Sequence, residues 1–269
     1  MNKTIGLFQK SVVLVSPLLL NSISLPEGIY SHSGFLESAN ATSIGSQIHF
    51  TEPQSRSGSG QPGGRGRGAG GRGPCKKDES LAALVPAKKT ATREFVRGLT
   101  TVEHPTFWFY IPGQTAEVPI EFVLQDEGEN DVYRTSLKVP QNSPGIVSVP
   151  VPATVAPLGV NKSYRWILAI SCDPADVFSK MLVRGEIQRV GIPPEIQKSL
   201  DTAQTPLDKA ILYANNGIWF DALTALGAQL QQSDRRDAAV STAWADLLRQ
   251  GHLEDLATAP ILPCCAPTR

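Results

Sequence analysis

The sequence contains few histidines and no recognisable set of catalytic side chains. The chain has four histidines among 269 residues, and only His104 falls within the stretch that has the pattern of strands. Enzymatic chemistry needs a nucleophile beside a base, paired carboxylates or a set of metal ligands. The sequence contains no Gly-x-Ser-x-Gly motif and no phosphate-binding loop. We therefore predict that His104 is a hydrogen-bonded structural residue and that the protein is not an enzyme.

The acidic residues offer two further possibilities. Asp126, Glu127, Glu129 and Asp131 cluster around one turn, and an oxygen-rich loop of this kind can bind Ca²⁺. The spacing lacks the glycine of an EF-hand, so we interpret the cluster as a solvated hairpin tip. Asp221 is either a functional acid or a local residue that caps a helix or pairs with an arginine. We predict no cofactor and no bound metal, with an unrecognised enzymatic site as the alternative.

The cysteines give information on the compartment. Cys75, Cys172, Cys264 and Cys265 form no Cys-x-x-Cys pattern that would favour zinc. Outside the cytoplasm disulfides are expected, and we predict a Cys75–Cys172 bond that ties a linker to the β-rich region after it. We interpret Cys264 and Cys265 as part of a tail without function, and an intermolecular bond or a metal or redox role is the alternative.

Residues 1–24 have the form of a secretory signal peptide. Lys3 and Lys10 form a basic region, residues 11–20 an apolar region, and residues 22–24 a cleavage site of small residues. An uncleaved membrane anchor is the alternative, although the apolar run is shorter than the ~20 residues of a spanning helix. We expect a mature protein outside the cytoplasm, in the periplasm or secreted, without a transmembrane segment.

Residues 25–80 have the composition of a disordered linker rich in Gly, Arg and Ser. The formal net charge of the chain is +0, so there is no global argument for nucleic acid as a partner. The linker also lacks the aromatic residues that stack on bases. We interpret it as a solvated linker, and contact of Arg65, Arg67 and Arg72 with a polysaccharide or another anionic surface is the alternative.

The densest aromatic run in the chain is residues 104–112. In a strand Phe107, Phe109 and Ile111 would share one face, and Trp108 and Tyr110 would share the other. An ordinary antiparallel strand is apolar on one face alone. Each aromatic side chain can bury about 150–250 Å², so we expect that another part of the chain covers the second face, with a partner as the alternative.

The alternating pattern of residues 81–191 predicts an antiparallel β-sandwich. About seven short apolar runs are separated by turn residues, a spacing typical of immunoglobulin-like domains. On the longest strand Tyr164, Trp166, Leu168, Ile170 and Cys172 fall on one face. Residues 158–164 have the pattern of the corner in which a tyrosine hydroxyl bonds back to the main chain.

Residues 192–262 have a helical pattern, and residues 263–269 form the tail. Thr205 and Pro206 predict a helix start, with Asp208 completing the cap. After an Asn-Gly turn, Trp219 and Ala222 have the aromatic-x-x-Ala spacing of a tetratricopeptide-type hairpin. About one and a half such units exist, whereas stable arrays need about three. We therefore expect α+β architecture, with these helices docked on the sandwich and covering Trp108 and Tyr110. The alternative is that they extend the helical surface of a partner.

The chain resembles a cyanobacterial family of unknown function, domain-of-unknown-function family 928, over about residues 65–262. The resemblance implies a cyanobacterial envelope or secreted setting, and no established activity or catalytic residue comes with it. The Arg/Gly run before Cys75 also fits. The segments that carry the resemblance are 81–86, 105–110, 121–126, 132–135, 144–147, 164–166, 172–174 and 217–223.

Together these patterns predict a protein that binds rather than catalyses. Our first hypothesis is an interaction or scaffold protein with another envelope protein as its partner. Its candidate binding surface comprises Trp108, Tyr110, Trp219, Phe220 and Asp221. The alternative is a glycan-binding or surface-binding module that stacks sugars on aromatic residues, including Trp166.

Overall fold

The computed structural model describes residues 48–53, 64–69, 75, 80–114, 117–139, 141–173, 175, 179–233 and 237–263. All of them belong to one compact unit, Ile44–Arg269. The predicted signal peptide, Arg72, Cys264 and Cys265 lie outside the described residues.

The described chain forms two β-sheets followed by four helices. The strands are β1 (Arg67–Ala69), β2 (Ser80–Ala83), β3 (Ala87–Lys89), β4 (Glu94–Thr100), β5 (Thr106–Ile111), β6 (Ile120–Gln125), β7 (Asp131–Leu137), β8 (Gly145–Pro150), β9 (Ser163–Ser171) and β10 (Lys180–Arg189). The helices are α1 (Pro194–Thr202), α2 (Pro206–Asn215), α3 (Trp219–Ser233) and α4 (Ala238–Gln250), and a short 3-10 helix, Glu254–Leu256, follows. This arrangement confirms the α+β class.

The smaller sheet has the order β1-β2-β5-β8 and the larger one β3-β4-β10-β9-β6-β7. Nearly all neighbouring strands in the described residues are antiparallel, as predicted. The exception is β4, which pairs with β10 in parallel through Glu186↔Arg97 to Arg189↔Thr100. The expectation of a wholly antiparallel arrangement is therefore wrong at this pair, because β4 was not among the predicted strands.

Part of the predicted disordered linker is folded. Residues 67–69 form β1, which pairs with β2 in the register Arg67↔Ala82. Just before it, Gly64 donates its N–H to the Glu94 carbonyl at 2.7 Å. A Cβ on Gly64 would lie 2.7 Å from the Val96 nitrogen, so glycine is required for this approach. The glycines here serve close packing between strands, which composition alone does not distinguish from disorder.

Strand β5 is buried on both faces. Its burial joins three layers, which are the two sheets and the helices. Phe107 and Phe109 belong to the core between the two sheets, where the ring centroids of Phe107 and Phe122 are 4.9 Å apart. Trp108 belongs to a second core with the helices. Its ring lies 6.0 Å from that of Trp244, and its Nε1–H donates to Thr224 Oγ1 at 3.1 Å. The predicted internal cover of Trp108 is confirmed.

Local signals position the helical layer as predicted. Thr205 Oγ1 accepts from the Asp208 N–H at 3.1 Å, and Asp208 Oδ2 accepts from the Thr205 N–H at 3.1 Å. This reciprocal capping box starts α2, with Pro206 in its first turn. At the turn before α3, Gly217 has φ +73° and lies against the Thr51 carbonyl. A side chain at this position would be strained, which fixes the reversal between α2 and α3.

A disulfide and a local hydrogen bond from a tyrosine hydroxyl to the main chain stabilise the sheets. Cys75 and Cys172 form a disulfide across 97 residues of sequence, as predicted. The Gly159 N–H donates to the Tyr164 hydroxyl at 2.8 Å, which confirms the expected bond from a tyrosine to the main chain. In the described part of the chain, no helix has the length and apolar character needed to cross a bilayer.

The disulfide closes a long loop, so its removal should destabilise the protein. For the Cys75→Ser/Cys172→Ser variant we expect the free energy of unfolding to fall by about 2–5 kcal/mol, since the unfolded chain gains entropy. Urea unfolding followed by tryptophan fluorescence measures this difference. Wild-type protein in reductant should unfold at the midpoint of the variant, and equal midpoints with and without reductant would contradict a disulfide in solution.

Gly227 of α3 sets the distance between the helices and β5. A Cβ at this position would meet the Trp108 ring at 2.6 Å, whereas one at Gly191 would have its nearest neighbour at 3.7 Å. We expect Gly227→Ala to lower the free energy of unfolding by about 1–3 kcal/mol because the rigid indole has no space to move. Gly191→Ala is the control in the same urea titration, and a stabilised Gly227→Ala variant would refute this packing.

Candidate functional site

The residues predicted as a binding surface lie mainly inside the protein. The exposed fractions of Trp108, Trp219, Phe220 and Asp221 are 2%, 0%, 1% and 6%, and Tyr110 is half-buried. The structure brings them to the junction of the helices with the sheets. The arrangement does not present them as an exposed surface, because the start of α3 packs directly on β4 and β5.

Two aromatic residues at the start of α3 explain this burial. Phe220 reaches the core between the sheets, with its ring centroid 5.3 Å from that of Phe107. A Cβ on Gly98 would lie 2.6 Å from this ring, so strand β4 leaves space for it. Trp219 donates its Nε1–H to the Leu84 carbonyl at 2.8 Å. Both residues therefore anchor α3 to strands.

Asp221 connects α3 to the end of β4 through a buried carboxylate. Thr100 Oγ1 donates to Asp221 Oδ1 at 2.5 Å, and the Thr101 N–H donates to Oδ2 at 2.9 Å. The Thr101 hydroxyl donates to Oδ2 as well. Burial raises the pKa of Asp221, and the bonds from Thr100 and Thr101 oppose this rise. Burial, and then the charge of Asp221, raise the pKa of the nearby Tyr213.

This geometry corrects the interpretation of Asp221 as a helix cap or an arginine partner. Its carboxylate accepts from residues 120 and 121 positions away in sequence, so the link is tertiary. Among the described residues, the three donors satisfy the buried carboxylate without a basic partner. Asp221 is therefore a structural acid that holds the helical layer on the sheet.

The other candidates for chemistry also make structural bonds. His104 Nε2 lies 2.9 Å from the Val155 carbonyl, which confirms the hydrogen-bonded histidine. In the β6–β7 turn, Asp126 Oδ1 accepts from the N–H groups of Gly128 and Asn130 at 2.8 and 2.9 Å. Hydrogen bonds from Asn130 lower the pKa of Asp126. Among the described residues, no group of three His, Cys, Asp or Glu side chains is arranged to hold a metal ion.

A cleft of about 440 Å³ lies where β1, the β3–β4 hairpin and the turn after α4 meet. Its lining comprises apolar residues, which we call the floor, and charged or polar side chains, which we call the rim. The floor residues are Ala83, Val85, Ala87 and Leu253, and the side chains at the rim are Arg67, Lys89, Glu94 and His252.

The charged side chains at the rim of the cleft differ in whether they have a partner. Arg67 donates from Nη1 and Nη2 to the two carboxylate oxygens of Asp255 at 2.9 and 2.6 Å. Glu94 accepts from the Gly66 N–H at 3.4 Å. Lys89 is exposed and has no hydrogen bond or ion pair with another residue in the described ranges. The cleft therefore offers Lys89 to a ligand, beside the exposed side chain of His252.

His252 has a backbone conformation that favours glycine. Its φ is +59°, in the left-handed region that costs non-glycine residues roughly 1 kcal/mol. It follows Gly251 at the end of α4, a position where glycine is the usual residue. Helix termination alone does not require an imidazole here, so the side chain itself is a candidate functional group.

The sequence contained little signal for this cleft. Its lining comes from residues 66–94 and 251–253, two segments separated by most of the folded chain. Arg67 lay in the predicted linker, and β3 was not predicted. The Gly251–His252 step at a helix end was the only local signal, and it indicates a turn rather than a site.

A family model described as Domain of Unknown Function (DUF928) matches residues 63–261, about three quarters of the chain. The chain belongs to this family. The DUF928 domain begins before β1 and includes every residue that lines the cleft, so the Gly64–Ala69 segment is part of the domain rather than of a linker before it. No curated protein matches the sequence.

The buried carboxylate of the DUF928 domain gives a test of how the helices are attached. We expect Asp221→Ala to lower the free energy of unfolding by about 1–3 kcal/mol, because the Thr101 N–H stays buried without an acceptor. Asp221→Asn retains the shape of the side chain and one acceptor oxygen, so its free energy of unfolding should fall by less. Thermal and urea unfolding of both variants measure these effects.

The pH dependence of stability, compared between the wild type and Asp221→Asn, tests the charge of Asp221. Burial raises the folded-state pKa of Asp221 above its ordinary value, so the folded state binds the proton more tightly than the unfolded state. Its contribution to stability is therefore complete below about pH 4 and is lost as the pH rises through the folded pKa. Relative to Asp221→Asn, the wild type should lose stability over this range, and a gain would contradict the raised pKa.

Proposed function

We propose that the protein is a non-enzymatic interaction protein outside the cytoplasm, and that the cleft binds an extended acidic segment of a partner protein. The observations that carry the proposal are the apolar floor of the cleft, the exposed Lys89 at its rim and the edge strand beside it. The floor would accept an apolar side chain of the segment, and Lys89 and His252 would contact its carboxylates.

The position of β3 favours an extended segment. It is the terminal strand of the six-stranded sheet, and Ala87 and Lys89 both line the cleft. The Thr90 N–H donates to the Arg93 carbonyl at 2.7 Å, so the alternation of an antiparallel ladder directs the main-chain groups of Ala87 and Lys89 away from β4. A peptide that adds to such an edge gains main-chain hydrogen bonds, and side-chain pockets supply selectivity.

The alternative functions receive less support. Stacking of sugars needs exposed aromatic faces, and the exposed fractions of Trp108 and Trp166 are 2% and 0%. An enzymatic site needs free reactive groups, and His104 and Asp221 are engaged in structural bonds. The outward faces of α1 and α2 remain a second surface for a protein partner.

We also infer a finer description of the fold. The shared core of the two sheets and the Tyr164–Gly159 bond support an immunoglobulin-like sandwich, with the parallel β4–β10 pair as a departure. The Asn-Gly reversal between α2 and α3 supports a tetratricopeptide-like hairpin as the cover.

Two independent features support a compartment outside the cytoplasm. A disulfide between Cys75 and Cys172 is consistent with an oxidising compartment, and residues 1–24 have the pattern of a secretory signal. We propose the periplasm or the extracellular space, where the partner would be another envelope protein.

Point variants test the cleft better than truncation, because loss of the helices would expose Trp108. The wild type, Lys89→Glu and the control Lys209→Glu on α2 would each capture proteins from the extracytoplasmic fraction. We expect Lys89→Glu to lose the partner at least tenfold through charge repulsion, and Lys209→Glu to retain it. Mass spectrometry identifies the partner, and its segments are then tested as synthetic peptides.

His252→Gly separates binding from stability. Glycine suits the left-handed backbone at this position, so the unfolding midpoint should stay equal or rise while partner binding weakens. Capture by Lys89→Glu at the wild-type level would refute the cleft as the site. Loss on variants of α1 or α2 alone would place the partner on the helices, and capture of polysaccharide without protein would contradict the proposed partner class.

A further inference from the structure

Two arginines face each other on the outer face of the six-stranded sheet. Arg65, just before β1, forms an isolated antiparallel bridge with Arg184 of β10. The Arg65 N–H donates to the Arg184 carbonyl at 2.8 Å, and the Arg184 N–H donates to the Arg65 carbonyl at 2.9 Å. Residues opposed in this way point their side chains to the same face, with Cβ atoms roughly 5 Å apart. We call the pair the arginine bridge.

The arginine bridge opposes two like charges without local compensation. Both side chains are exposed. In the part of the chain that the structure describes, neither guanidinium has a hydrogen bond or an ion pair with an acidic residue. Directly opposed like charges destabilise a sheet, so the two guanidinium groups, unlike the main-chain groups of these residues, contribute nothing evident to folding.

The nearest acid on the same strand and face is Glu186, and it already has basic neighbours. Glu186 lies opposite Arg97 of β4 and Arg165 of β9, and its Oε1 is 3.4 Å from Arg97 Nε. Glu186 therefore does not neutralise the arginine bridge.

Lys180 extends the positive charge along β10. It is exposed and lies four residues before Arg184, which places both on the same face about 13 Å apart. The arginine bridge and Lys180 thus form two positions of positive charge. A polymer with repeated anionic groups can reach both at this spacing.

We propose that the arginine bridge and Lys180 bind the oxyanion groups of an acidic polysaccharide. A guanidinium presents parallel N–H donors that match the oxygen atoms of a sulfate or carboxylate. One ion pair on an open surface contributes little, so a single small anion would bind weakly. A polymer engages both positions at once, and the second contact forms at high effective concentration. The site uses none of the residues of the cleft and goes beyond the proposed protein interaction.

The test compares the affinity for polymers of two double variants that each remove two positive charges, one at the arginine bridge and one elsewhere on the surface. The mature protein is titrated with dextran sulfate, with alginate and with neutral dextran by calorimetry. For Arg65→Gln/Arg184→Gln we expect the Kd for the acidic polymer to rise at least tenfold. The control Lys198→Gln/Arg249→Gln removes two exposed charges from α1 and α4, and its Kd should stay within twofold of the wild type.

Stability distinguishes loss of the site from loss of the fold. Because the substitutions remove opposed charges, the unfolding midpoint of Arg65→Gln/Arg184→Gln should equal or exceed that of the wild type. A preference for dextran sulfate identifies sulfate esters as the anionic group, and a preference for alginate identifies carboxylates. The proposal is wrong if the wild type binds neither acidic polymer, if the bridge variant binds as tightly as the wild type, or if both double variants weaken equally.

Discussion

The architecture depends on a strand that is apolar on both faces. Phe107 and Phe109 of β5 complete the core between the sheets, and Trp108 on the other face needs an apolar cover of its own. A tryptophan left in water would forgo several kcal/mol of burial, at about 25 cal/mol per Å². The helices supply that cover through Trp244 and the close approach of Gly227. They are therefore part of the folding unit rather than an appended module.

The same constraint explains why residues that resemble a binding surface are internal. Trp219, Phe220 and Asp221 begin α3, and each makes a different contact with the sheets: a hydrogen bond to the Leu84 carbonyl, a ring contact with Phe107, and a carboxylate held by Thr100 and Thr101. With these groups used for attachment, binding is left to the edges and outer faces. The cleft lies beside the edge strand β3. The arginine bridge lies on the outer face of β10.

Features that depend on a few neighbouring residues could be predicted from the sequence. The Thr205–Asp208 cap, the Tyr164 corner and the two-faced pattern of β5 each follow from a few neighbouring residues. The Cys75–Cys172 bond was predicted as a tie between the end of the linker and the β-rich region, and the structure contains it. Long-range pairing was not predicted: β1 lay in a glycine-rich segment that looked disordered, and β4 joins β10 in parallel across most of the domain. The partners of Asp221 are about 120 residues away, and no periodicity indicates such a contact.

Native-state hydrogen exchange tests most directly whether the helices and β5 form one unit. The account predicts that the slowest amides of α3 and of β5 exchange through the same opening, with equal free energies and equal dependence on denaturant. If α3 opened at a much lower free energy while the amides of β5 stayed protected, the helices would be a separable layer. That result would contradict the claim that burial of Trp108 holds the three layers together.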